Sequence, residues 1–248
     1  MDEEGRAKLK ATQANVPRLL FRLWNSDSGG DSRLSSMSAI TPKRFFEHNQ
    51  GSRKSPTSDI YSHTREKLLD MLQRHLDYDT SEDLQTEFSS CGASLSHVLS
   101  RAQPSNPSEN KESAEKFEGY RVSVVDTQAL PKCVKVYYCP ALRFLLPEGE
   151  KDTGDFTNNS DKREYLIHGV VTRSATATAN IGDWIKASVN VSDELPLREF
   201  NDAERDPTVS LEVEHILAAR QLGELYGGVF VVPVAAAAIC AWRRKLAN

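Results

Sequence analysis

The chain has 248 residues, of which 39% are hydrophobic and 27% charged, with a formal net charge of −4. That length suits one large domain or two small ones, and it can bury a core even at a mean hydropathy of −0.51. The acidic balance lacks the basic excess of a nucleic-acid-binding surface, so no nucleic acid partner is expected. The four cysteines, Cys91, Cys133, Cys139 and Cys240, form no CxxC pair and no Cys/His cluster with zinc spacing. They read as free structural thiols, and no metal is implied.

Residues 1–16 read as a polar leader. Its start, Met1-Asp2-Glu3-Glu4, is acidic and lacks the apolar stretch of a secretion signal, so an intracellular, cytoplasmic location is expected. The sequons at Asn158 and Asn190 should then stay unmodified. Residues 18–24 (RLLFRLW) read as a strand broken by Arg22, and 25–36 and 47–60 as loops. Over residues 61–76, Leu68, Leu69, Leu72 and Leu76 recur at helical spacing. Residues 87–90 form a short strand, and after Gly92 Ser94 can cap a helix carrying Leu95, Val98, Leu99 and Ala102.

Residues 103–116 and 147–162 are polar insertions with little apolar content. Residues 120–126 (YRVSVVD), 133–138 (CVKVYY), 163–171 (REYLIHGVV) and 184–189 (WIKASV) read as strands. Residues 211–225 read as a helix that Gly227 ends. The apolar run 229–242 contains five alanines and Pro233 and falls short of the roughly 20 residues a membrane span needs. A buried C-terminal helix is the expectation, with a tail anchor as the minor alternative. Consecutive strands without intervening helices point to a mixed or antiparallel α+β sheet in one domain over residues 17–248.

Four features place polar groups where a structural strand does not need them. Arg22 interrupts an apolar strand; Ser89 and Ser90 precede a helix; Glu164 opens an apolar strand; His168 follows on the same face of that strand. Singly, each has a plain explanation: an edge charge, a turn, a solvated strand end, a satisfied histidine.

Their order resembles the cholera-toxin and heat-labile-enterotoxin branch of the ADP-ribosyltransferases. Arg18-Leu19-Leu20-Phe21-Arg22 is similar to the first-strand arginine motif of that family. Phe88-Ser89-Ser90-Cys91 is similar to its Ser-Thr-Ser strand. Val122-Ser123-Val124-Val125-Asp126-Thr127 and Glu164-Tyr165-Leu166-Ile167-His168-Gly169 resemble the strands that follow, and Ile181-Gly182-Asp183-Trp184 resembles the next one. The chain resembles still more closely a fungal domain family of unknown function with similar Phe-Ser-Ser, Val-Asp-Thr and Glu-Tyr-Leu-x-His-Gly segments.

The toxin resemblance implies a split sheet with flanking and C-terminal helices, and NAD as substrate. Glu164, Arg22 and Ser89 would be catalytic, and Arg22, Ser89, Ser90, Phe88 and His168 would line the NAD site. Transfer from NAD breaks the nicotinamide–ribose bond through an oxocarbenium-like state, which a carboxylate such as Glu164 stabilises. An arginine such as Arg22 suits the ribose–phosphate side through forked hydrogen bonds, and Ser89 would orient the reacting groups. Phe88 and Tyr165 would line the nicotinamide slot or pack the core.

Two positions depart from the pattern. Lys162 stands where the toxins carry a Glu or Gln that handles the acceptor, and Cys91 stands at the third Ser-Thr-Ser position. An arginine acceptor is thereby disfavoured. Transfer to another protein or small-molecule acceptor, NAD hydrolysis, and a catalytically degenerate binding module all remain open. No GxGxxG, GxSxG, HExxH or P-loop pattern occurs, so Rossmann, α/β-hydrolase, zinc-protease and P-loop readings have no support.

Overall fold

The computed structural model describes residues 1–25, 35–37, 39–47, 59–76, 86–99, 119–146, 164–188 and 213–246. The elements, in chain order, are α1 (Glu3–Ala11), β1 (Leu19–Trp24), β2 (Ser35–Ser36), β3 (Ala39–Ile40), α2 (Lys43–Glu47), α3 (Arg65–Leu76), β4 (Phe88–Gly92) and α4 (Leu95–Leu99). Then come β5 (Arg121–Asp126), β6 (Lys135–Tyr138), β7 (Glu164–His168), β8 (Val171–Thr172), β9 (Thr176–Asn180), α5 (Ile181–Ser188), α6 (Val213–Glu224) and α7 (Val231–Leu246). The class is α+β, as the strand order predicts. A six-stranded sheet runs β6-β7-β4-β1-β5-β9 with every neighbouring pair antiparallel, and a small sheet runs β2-β3-β8. The insertions at 103–116 and 147–162 lie outside the described residues.

Alternation along the strands gives the large sheet two apolar faces. On one face, Phe21, Val122 and Val124 pack under α4, α5, α6 and α7 through Leu95, Val98, Trp184, Leu222 and Val234. Further along that face, Phe88, Tyr137 and Leu166 pack against Leu68, Met71 and Leu72 of α3. On the other face, Leu20, Cys91, Val125 and Ile167 meet Ile40 and Val171 of the small sheet.

Two expectations are corrected. The leader contains a helix: Asp2 caps α1 by accepting from the Gly5 amide at 2.8 Å, and Leu9 is in the core. Its surface is polar enough to hide the single buried position. Residues 184–188 are not a strand; residues 181–188 form α5, and the strand lies earlier, at β9. The Asn180 side chain donates to Asp183 at 3.1 Å across the first turn of α5. Burial of Trp184 against Tyr226, to whose hydroxyl its indole Nε1 donates at 3.0 Å, outweighs the strand propensity of Trp184 and its neighbour.

The C-terminal run forms α7 packed on α6, with Val234 and Ala238 buried. Among the described residues no helix is long and apolar enough to cross a membrane. The α6/α7 crossing is tight at Gly223, where an added Cβ would run into the backbone carbonyl of Val231. Helix propensity alone favours Ala over Gly by about 1 kcal/mol. A collision with backbone cannot be relieved by a side-chain rotation, so Gly223→Ala is expected to destabilise by about 1–3 kcal/mol. A leftward shift of the urea midpoint at unchanged slope checks this; a rightward shift would show that the helices slide apart freely.

Candidate functional site

Strand β4 is the hub of the site, because its neighbours on either side behave differently. Toward β7 it is fully laddered, from Phe88 opposite His168 to Gly92 opposite Glu164. Toward β1 it is joined at one pair, Phe21 opposite Gly92. Beyond that pair the ladder stops, while β1 continues in register with β5 as far as Trp24 opposite Arg121. A carbonyl left facing such an opening needs another donor. Arg22 supplies it: its guanidinium donates to the Ser90 carbonyl at 2.8 Å.

Register also decides which side chains share a face. Opposed residues in an antiparallel pair point the same way, so Phe88, Ser90 and Gly92 face with His168, Leu166 and Glu164. Ser90 and Glu164 are diagonal neighbours, about 7–8 Å apart by ordinary sheet geometry. Ser89 and Cys91 point to the opposite face with Ile167 and Tyr165. Ser89 is buried there, so the serine that shares a face with Glu164 is Ser90. The sequence motif alone does not choose between the two, because it does not fix which residue of β4 opposes which residue of β7.

The charges converge on Cys91. Burial pushes its thiol up to about 12, with the Arg22 guanidinium pulling down and the Glu164 carboxylate pushing up. Cys91 is therefore an inert thiol that feels both charges. Glu164 is itself only 4% exposed.

His75, near the end of α3, was not a sequence candidate. Its Nε2 lies 2.8 Å from Ser90 Oγ and its Nδ1 lies 3.1 Å from Thr86 Oγ1. Burial, and then the Arg22 charge, lower the imidazole to about 4, so it is neutral at physiological pH.

His168 belongs to a separate cluster. Glu87 is wholly buried, and its Oε2 accepts from His63 Nε2 and His168 Nε2, each at 2.9 Å. Arg44 Nε lies 3.1 Å from Oε1, an ion-pair contact rather than an aligned hydrogen bond. Burial would raise the Glu87 carboxyl; the hydrogen bonds from His168 and His63 outweigh it and hold the group at about 2. His168 also stacks edge-on with Phe45 and Phe88. Both His168 and Phe88 are thus engaged in packing, and Tyr165 packs on Tyr138. Among the described residues no three His, Cys, Asp or Glu side chains are placed to hold a metal ion. The sequence signal for this cluster was His168; Glu87, read only as the start of the strand 87–90, carried none.

A family model described as Domain of unknown function (DUF7587) matches residues 15–181. The chain belongs to this family. The DUF7587 match takes in all six strands of the large sheet and every polar residue of the two clusters around Ser90 and Glu87. No curated protein and no solved structure matches the chain.

Proposed function

We propose that this domain binds NAD at the opening between β1 and β4 and cleaves its nicotinamide–ribose bond. One observation carries the reading: Arg22, rooted on the Leu20 face of β1, reaches the Ser90 carbonyl through the gap where the ladder stops, and Glu164 shares the other face with Ser90. In the chemistry proposed, the C1′–N bond breaks and nicotinamide leaves with the bonding electrons. Glu164 stabilises the oxocarbenium-like ribose, and Arg22 and Ser90 hold the ribose–phosphate portion. Water then adds at C1′ and loses a proton, giving ADP-ribose. Lys162, which lies outside the described residues, replaces the acceptor-handling carboxylate of the toxin pattern, so water is preferred over an arginine side chain. A protein or small-molecule acceptor would give mono-ADP-ribosyl transfer instead.

A second reading is a binding module on the same fold without turnover. The burial of Glu164 and of Ser89 favours it. Purified chain incubated with NAD separates the two: nicotinamide release supports the enzyme, and saturable NAD binding without release supports the module. Neither binding nor release would remove NAD from consideration.

A further inference from the structure

The hydrogen bonds around His75 have two self-consistent proton arrangements, one for each neutral tautomer. Thr86 Oγ1 accepts the Phe88 amide N–H at 3.1 Å. In the first arrangement the Thr86 proton goes to His75 Nδ1, at 3.1 Å, and Nε2–H donates to Ser90 Oγ at 2.8 Å. In the second, Nδ1–H donates to Thr86 Oγ1, whose oxygen can accept twice, and the Ser90 hydroxyl donates to Nε2. The first makes Ser90 an acceptor toward His75 and turns its hydroxyl proton away from the ring. Among the described residues that hydroxyl meets no second hydrogen-bond partner, and Ser90 is partly exposed.

We propose that His75 is a positioning residue of the NAD site: its Nε2–H holds Ser90 with the hydroxyl proton aimed at a ribose or phosphate oxygen of the ligand beside Arg22. The proposal rests on the NAD reading above. A different arrangement, with His75 as a base that makes Ser90 a nucleophile, is disfavoured on chemical grounds. Taking the Ser90 proton would create an imidazolium near the Arg22 guanidinium, whose charge already lowers the ring. Nδ1 faces a threonine hydroxyl, where a nucleophilic triad has a carboxylate to offset that charge.

Two measurements on the full chain test this. Imidazole 15N–1H correlation spectra should show His75 neutral and protonated on Nε2 at pH 7 and at pH 5. A proton on Nδ1, or an imidazolium at pH 6, would overturn the proposal while leaving the NAD reading intact. NAD binding by calorimetry should weaken about tenfold in Ser90→Ala and in His75→Phe, the scale of one lost hydrogen bond. The double variant should bind no worse than either single one. His75→Gln, which keeps a donor near the Nε2 position, should stay within about threefold of wild type and also controls for misfolding. Wild-type binding in His75→Phe together with loss in Ser90→Ala would sink the proposal alone. No NAD binding by the wild type would sink the proposal together with the reading beneath it.

Discussion

Glu164→Gln is expected to cut nicotinamide release from NAD by at least about 100-fold, the usual scale for removing one electrostatic stabiliser. The substitution keeps shape and hydrogen-bonding capacity but removes the negative charge. That charge matters most when positive charge develops on the ribose, so the loss should fall on kcat with KM little changed. The buried position of Glu164 strengthens the effect, because little water is present to screen it. Arg22→Lys gives the contrasting signature: a point charge replaces the fork that reaches the Ser90 carbonyl, and KM rises. A Glu164→Gln protein retaining more than a tenth of wild-type turnover would assign the chemistry elsewhere.

Glu87→Ala should be the most destabilising single change at a polar residue of the described structure, costing about 3–5 kcal/mol. It leaves two imidazole N–H groups and the Arg44 guanidinium facing a void where their acceptor stood. The same carboxylate sets the response to acid. Its pKa in the fold is about 2, below the ordinary 4.5, so it contributes stability fully above about pH 4.5. That contribution fades as the pH falls toward 2 and is on the order of 3 kcal/mol. Denaturant titrations at pH 7 and pH 3 should therefore show wild type losing stability across that interval. Glu87→Ala should lose much less, since its main acid-sensitive group is gone. Equal losses in both proteins would place the acid sensitivity elsewhere.

The strands rich in β-branched and aromatic residues were legible, because strand propensity and burial agree in them. β1, β5 and β6 fall within a residue or two of their predicted spans, and the span 163–171 divides at Gly169 into β7 and the start of β8. The helix α3 was legible for the complementary reason, an apolar stripe at helical spacing; α6 shares that signal although Val213, Ile216 and Leu217 are exposed, and α7 was legible as an alanine-rich apolar run too short to span a membrane. Trp184 misled because an aromatic next to β-branched residues suits a strand and a buried helix face equally well. The contact that decides between them, Trp184 on Tyr226, joins residues 42 positions apart.

The site was half legible. Arg22 and Glu164 stood out as charges in apolar strands. The choice of Ser90 over Ser89 depends on register, and register depends on partners more than seventy residues away in sequence. His75, His63, Arg44 and Glu87 were not legible. Each sits in a segment that reads as ordinary surface until the sheet assembles over it.

The family match ends at residue 181, yet the sheet face formed by Phe21, Val122 and Val124 is covered by Ala219 and Leu222 of α6 and Val234 and Ala238 of α7. This arrangement governs the order of events during synthesis. The strands emerge from the ribosome well before the helices that cover them, and β1 itself waits for β5, a hundred residues later. The nascent chain must carry an uncovered apolar face until Ala238 has left the exit tunnel. A folding route of this kind is slow, exposed to aggregation, and dependent on chaperones for the interval.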